Sequence, residues 1–310
     1  MSNVIETIID TKKSASYIKY NNYHKNNIFG ITKVSRWELL HSNFIAWLLD
    51  DESALVSNHE QIYKFVLMLY NIRNSSLNDK ARIDEKTLMY FFNSNFIKSV
   101  DVQREYNNID ILLEIKTEDK ALPIIIENKV DSKENGKHGD QTTVYFKFAE
   151  KKYSDRKCYY EPIYIFLSPA YNKTIPKQQE FMHVSYQNLV DYVIEPVLKL
   201  CQNENSKNNI KTYLQCLSFQ NDNDKGDKIM AISSEEKKII DDFINENRDL
   251  ISIVIESLED VPDEVKEKLK TSVRDNTYYE FEGIKDLGKG RLVLEVVKKY
   301  CNDNNPKSYV

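Results

Sequence analysis

Ile109-Asp-Ile-Leu-Leu-Glu-Ile115, a short polar turn, and then Leu122-Pro-Ile-Ile-Ile-Glu-Asn-Lys-Val130 form two consecutive strand-like segments. Both carry acids where apolar residues are expected: Asp110 at the head of the first, Glu127 near the tail of the second. Side chains alternate along a strand, so Glu127 and Lys129 share one face and Asn128 takes the other. The isoleucines before Glu127 predict a strand buried on both faces, where acids and lysines are rarely left unpaired. Two carboxylates and a lysine gathered there are costly to keep for structure alone. A salt bridge on a half-exposed edge strand is the structural alternative for Glu127 and Lys129. A turn residue after Asn107-Asn108 is the alternative for Asp110. Glu114 alternates onto the face of Asp110 and is a rival, further from the sheet edge.

Upstream, Trp37–Asp50 has helical periodicity with Leu40, Phe44, Trp47 and Leu48 as its apolar stripe, and Ser35 with Glu38 suits a capping box. Helices are predicted over Gln61–Asn71 and Glu85–Phe96. Strands are predicted over Ser99–Tyr106, Asn108–Lys116 and Leu122–Val130. After a polar loop at Asp131–Gly139, a helix is expected over Gln141–Tyr153, and strands at Glu161–Leu167 and Phe181–Val184. Helices follow at Tyr186–Leu200 and Lys207–Phe219. The polar run Gln220–Asp227 reads as a linker. Residues 1–222 are thus expected to form one domain and 228–310 a small accessory one. In the latter, a helix capped by Ser233 and Glu236 runs to about Leu258, then comes a second helix. Two β-rich segments, Thr277–Ile284 and Arg291–Val297, are expected to flank Lys285–Gly290.

The 310 residues are long enough for a full core. Charged residues make up 29% of them, hydrophobic ones 41%, and no apolar run approaches a membrane-spanning length. The amino terminus lacks a secretory pattern, and Cys158, Cys201, Cys216 and Cys301 form no metal-type pair. A cytoplasmic protein without a membrane partner is expected. A net charge of −5 argues against nonspecific coating of nucleic acid, although an enzyme with a local basic track remains compatible with it.

Phosphodiester hydrolysis needs a divalent cation to polarise the phosphate and acidify water, and Mg²⁺ favours a few carboxylate oxygens plus retained waters. Asp110 and Glu127 supply such oxygens, and the backbone carbonyl of Asn128 is a candidate third ligand. Lys129 would orient the attacking water or neutralise transition-state charge.

Asp110, sixteen intervening residues and Glu127-Asn128-Lys129 at the end of an isoleucine-rich strand resemble the PD-(D/E)xK nuclease signature. The residue before Asp110 is Ile109 rather than proline. Glu38-Leu-Leu-His41-Ser42 is similar to the first helix of one bacterial branch of that superfamily, and Ser185-Tyr186 matches a pair in the same branch. The resemblance spans roughly residues 25 to 260. It implies an α/β fold: a restriction-endonuclease-like core, a mixed central sheet flanked by helices, here with a mostly helical C-terminal addition. It further implies a Mg²⁺- or Mn²⁺-dependent nuclease acting on nucleic acid, with DNA the expected substrate. A nuclease-like fold that binds nucleic acid or a protein without cutting is the alternative.

The resemblance also brings in further residues. Glu38 would complete the metal shell, unless it only caps its helix. Gln141 would bind water or phosphate, with Tyr145 on the same helix face. His41 and Ser42 would contact phosphate or steady Glu38. Lys147, Lys151 and Lys152, interleaved with tyrosines, are either a phosphate track or a solvated helix face. Oligomeric state is not legible, and a dimer is compatible with the sequence.

Overall fold

Strand β3 (Ala121–Asn128) is buried at all eight positions, and the chain is arranged around it. In the computed structural model the described residues are 14–25, 27–75, 78, 81, 83–133, 140–218, 228–249, 251, 279–281 and 284–287. Helices α1 (Ala15–Lys25), α2 (Ile28–Ile31), α3 (Glu38–Leu49), α4 (Glu60–Ile72) and α5 (Glu85–Tyr90) precede β1 (Ser99–Tyr106) and β2 (Ile109–Lys116). After β3 come α6 (Gln141–Lys152), β4 (Ile163–Ser168), β5 (Met182–Ser185) and α7 (Tyr186–Leu189). A π turn at Val190–Ile194, α8 (Glu195–Leu200), α9 (Glu204–Ser218) and α10 (Ser234–Glu246) follow.

Five strands form one mixed sheet in the order β1-β2-β3-β4-β5. The first three are antiparallel, with Leu112 opposite Ile125. β3, β4 and β5 are parallel, joined by the long crossover through α6 and then by residues 169–181. Asn107 and Asn108 make the β1–β2 turn with φ of 50° and 64°, a left-handed conformation that asparagine tolerates. Asp110 therefore falls inside β2 rather than in the turn. On one face Ile111, Leu113, Ile124, Ile126 and Ile165 join the core formed with α3, α4 and the helices after β5. On the other, Leu112, Ile125, Tyr164 and Phe166 pack with Tyr145 and Ala149 of α6 and with Tyr153 just after it. This is the mixed α/β sheet with flanking helices that the resemblance implies.

The expected stripe of α3 is turned relative to the observed one. The buried residues are His41, Ser42, Ile45, Ala46, Leu48 and Leu49. Phe44 is only partly buried and stacks on Tyr213 of α9 with ring centroids 3.5 Å apart. Two polar residues go inside because each finds a partner there. The capping box is also absent: Trp37 is the N-cap and makes no side-chain cap.

The chain divides into two compact units, residues 19–238 and residues 1–18 with 239–310. In the second, the Tyr17 and Phe243 rings lie 6.2 Å apart, and the Ser16 hydroxyl donates to Glu246. β6 (Tyr279–Phe281) and β7 (Ile284–Leu287) pair antiparallel there. Lys285–Leu287 thus belong to a strand, where a spacer was expected, because ladder hydrogen bonds are the backbone's own. The expected linker Gln220–Asp227, the segment Arg291–Val297 and the second C-terminal helix lie outside the described residues. Among the described residues no helix is long and apolar enough to cross a membrane.

Ile124 has no exposed surface and pairs with Leu113 on one side and Ile163 on the other. Ile124→Ala is expected to lower unfolding free energy by about 2–5 kcal/mol in chemical denaturation. A decrease under about 1 kcal/mol would contradict a closely packed centre at this strand.

Candidate active site

The β2–β3 register pairs Ile111 with Ile126 and Leu112 with Ile125. Alternation from these pairs sets Asp110 and Glu127 on the α6 face, at the end of the sheet where β3 leaves it. Asp110 Oδ2 accepts a hydrogen bond from the Asn128 backbone N–H at 2.7 Å. The Lys129 N–H donates to Leu167 O at 2.9 Å, carrying the ladder to β4 one residue past the strand end. Lys129 Nζ lies 2.6 Å from Glu127 Oε1. Asp110, Glu127 and Lys129 thus meet at one point.

The point is dry. Glu127 is fully buried and Lys129 is 6% exposed. Burial, and then the neighbouring Asp110 carboxylate, hold the Glu127 carboxyl well above its ordinary range. Burial also raises Asp110, against the lowering effect of the Asn128 N–H and the Lys129 ammonium. The two carboxyls are close enough to share a hydrogen bond when one is protonated. Burial would lower the Lys129 ammonium, but the Glu127, Asp110 and Glu38 carboxylates together outweigh it and hold the group above its usual value. Oε1 of Glu127 thus has the Lys129 ammonium, whereas Oε2 is buried with no donor. Buried acceptors in native proteins are nearly always satisfied, so an unfilled Oε2 beside a second carboxylate suits a cation.

Among the described residues, no group of three or more His, Cys, Asp and Glu side chains could hold a metal by itself. Two carboxylates do fit Mg²⁺, which commonly takes one or two and keeps waters in its other positions.

Asn128, the middle residue of the motif, faces away and anchors it. Its Nδ2 donates to Ser42 Oγ at 3.0 Å and to Glu38 O at 3.1 Å. Its Oδ1 accepts from the buried Tyr186 hydroxyl at 2.6 Å. The sequence draws attention to the Asn128 carbonyl, and the structure gives its side chain this separate task. The signal lies in the alternation that turns Asn128 away from its two charged neighbours.

Ser42 is 1% exposed and His41 fully buried, so neither faces solvent as the expected phosphate contact would. His41 Nε2 lies 3.0 Å from Ser35 O and Nδ1 lies 3.0 Å from the Tyr213 hydroxyl. The carbonyl can only accept, so Nε2 carries the proton, and burial lowers the imidazole pKa to about 4. A neutral histidine is a core hydrogen-bond bridge here, which corrects the expected contact to phosphate or Glu38.

Glu38 is half-buried. Its Oε1 accepts from Val130 N at 2.8 Å, Ser132 N at 3.4 Å and Ser132 Oγ at 2.6 Å. It pins the segment leaving β3 and lies near enough to Lys129 to stabilise its charge. Gln141 opens α6, its Nε2 3.4 Å from the Tyr145 hydroxyl, which itself donates to Asn108 O. Burial, then Glu127 and Asp110, raise the Tyr145 hydroxyl, which is therefore beside the acids. Lys152 is held by Glu114 at 3.3 Å and lies over the Tyr106 ring. Glu114 also accepts from Tyr153, so this rival acid is engaged at the other end of α6. Lys147 and Lys151 are exposed on α6.

The unmet charge has a cost that grows as both acids ionise. Because both folded-state pKa values are raised, the folded protein binds these protons more tightly than the unfolded chain. The penalty is absent below the ordinary carboxylate pKa and is fully present above the raised values. In chelator, Glu127→Gln is therefore expected to melt higher than wild type at pH 8, by roughly 2–6 °C, with the gap shrinking toward pH 5. Equal or lower melting of the variant at pH 8 would contradict a strained carboxylate pair.

Comparison with known proteins agrees with the fold. A family model described as the PD-(D/E)XK nuclease superfamily matches residues 26–215. No curated protein and no solved structure matches the chain. The match covers more than half of the chain and contains every residue of the site described above. This chain belongs to the PD-(D/E)XK nuclease superfamily.

Proposed function

We propose that this protein is a metal-dependent nuclease that hydrolyses phosphodiester bonds in DNA, with Mg²⁺ or Mn²⁺ as its cofactor. The observation that carries the reading is the fully buried Glu127 beside the half-buried Asp110, with the Lys129 ammonium 2.6 Å from Glu127 Oε1 and no donor on Oε2. Membership of a nuclease superfamily supports the reaction class.

A divalent cation, when bound, supplies a Lewis acid for the phosphate and a water acidified toward hydroxide. Asp110 and Glu127 would hold it, aided by the Asn128 carbonyl, and Glu38 is the further candidate. Glu38 also fixes residues 130–132, and so the path of the chain leaving the site. The Lys129 ammonium, charged and shielded from water, orients the attacking water and offsets charge building on the phosphorane-like transition state. Gln141 and Tyr145 present an amide and a hydroxyl toward the same corner, where they position water or a phosphate oxygen. Asn128, through Ser42 and Tyr186, keeps the strand end from shifting.

Metal binding and chemistry separate at Lys129. Lys129→Ala is expected to keep calorimetric Mn²⁺ binding while cleavage of plasmid or linear DNA falls by about a hundredfold or more. Glu127→Ala should lose both, and chelator should abolish wild-type cleavage. Wild-type cleavage rates in Lys129→Ala would sink the mechanism. Tight metal binding without cleavage of DNA or RNA by the wild type would sink the enzyme reading.

A further inference from the structure

Where the chain leaves β3, a groove of about 540 Å³ begins at Val130 and Asp131, directly after Lys129. Among the described residues four lysines line it, Lys133, Lys173, Lys177 and Lys228, against one acid, Asp131. Asp131 is already engaged by Lys228 at 3.4 Å, and Asp140 at the rim lies 3.9 Å from Lys177. The groove is thus cationic on a chain whose net charge is −5.

It is also a built feature rather than a chance gathering of lysines. Asn172 Nδ2 contacts Lys129 O, Val130 O and Ser132 O at 3.4, 3.0 and 3.2 Å, stitching the loop after β4 to the segment after β3. Arg36 joins the Tyr171 hydroxyl, at 2.6 Å, to Lys228 O. Both walls are therefore tied to the strand end that carries Glu127 and Lys129. Between Lys173 and Lys177 the loop holds Ile175, 80% exposed. An isoleucine presented to water between two lysines has no role in the core. Lysines paired with an exposed apolar side chain match the two surfaces of a nucleotide strand: anionic phosphates, and sugar or base faces.

We propose that this groove seats the sugar–phosphate backbone flanking the scissile bond, with Lys133, Lys173 and Lys177 on phosphates and Ile175 against a sugar or base. The ligand's identity rests on the nuclease reading, whereas the groove's role in binding is tested without cleavage.

Fluorescence anisotropy in EDTA, with labelled single- and double-stranded DNA over a salt series, provides the test. The exposed lysines allow a triple variant, Lys133→Ala/Lys173→Ala/Lys177→Ala, with folding checked by its melting curve. Its affinity should fall at least about tenfold, and its log K against log salt slope should flatten by about 0.7–0.9 for each phosphate that is no longer neutralised. Ile175→Ala should weaken binding by roughly threefold to tenfold and leave the slope unchanged, as removal of an uncharged apolar side chain does. An unchanged slope in the triple variant overturns the groove even if the wild type cuts DNA, and the nuclease reading then stands. Wild-type DNA binding with these variant effects, but no cleavage in Mg²⁺ or Mn²⁺, supports the groove and overturns the nuclease reading. Binding to phosphatidylserine vesicles with none to nucleic acid overturns the groove as a substrate seat.

Discussion

Two carboxylates, Glu127 fully buried and Asp110 half-buried, face one ammonium, and that imbalance is the constraint on which the structure turns. At an effective dielectric of about 20, unit charges about 4 Å apart still interact by roughly 4 kcal/mol, so one surplus negative charge is not masked by its surroundings. Glu127 lies at the end of a strand with no exposed residue, Asp110 on the neighbouring strand, and Lys129 is held between them in charge. Such a cluster persists only if the backbone beneath it is held firmly.

The holding is done from the opposite face, and by neutral groups. Asn128 is bound by Ser42, by the Glu38 carbonyl and by Tyr186. His41 packs edge-on against both Tyr186 and Tyr213. Uncharged partners in the core add rigidity without adding to the field at the acids, and the lowered His41 pKa keeps that ring neutral. The Glu38 carboxylate works at the rim instead, on the backbone of residues 130–132. One helix, α3, therefore steadies the site at two depths.

The strand pair and its acids were legible because period-two alternation and a run of isoleucines are strong local signals. The same rule separated Glu127 and Lys129 from Asn128. What failed was reading partners along α3. Spacing alone assigns Ser35 to Glu38 as a cap, but the Glu38 carboxylate is drawn to amides more than ninety residues away in sequence. His41 and Ser42 look like surface polar residues on a helical wheel, and only α9 and β3 packed on both sides make them interior. The groove beside the site was illegible for a similar reason. Its lysines come from three separated segments, and no sequence window contains them together.

The central claim is that the unmatched charge of Asp110 and Glu127 exists to hold a cation. Anomalous scattering from crystals grown with Mn²⁺ tests it most directly. A peak bridging the Asp110 and Glu127 carboxylates, with Lys129 retained beside Glu127, is the predicted result. Well-ordered carboxylates with no peak between them, in crystals containing millimolar Mn²⁺ at pH 8, would contradict it.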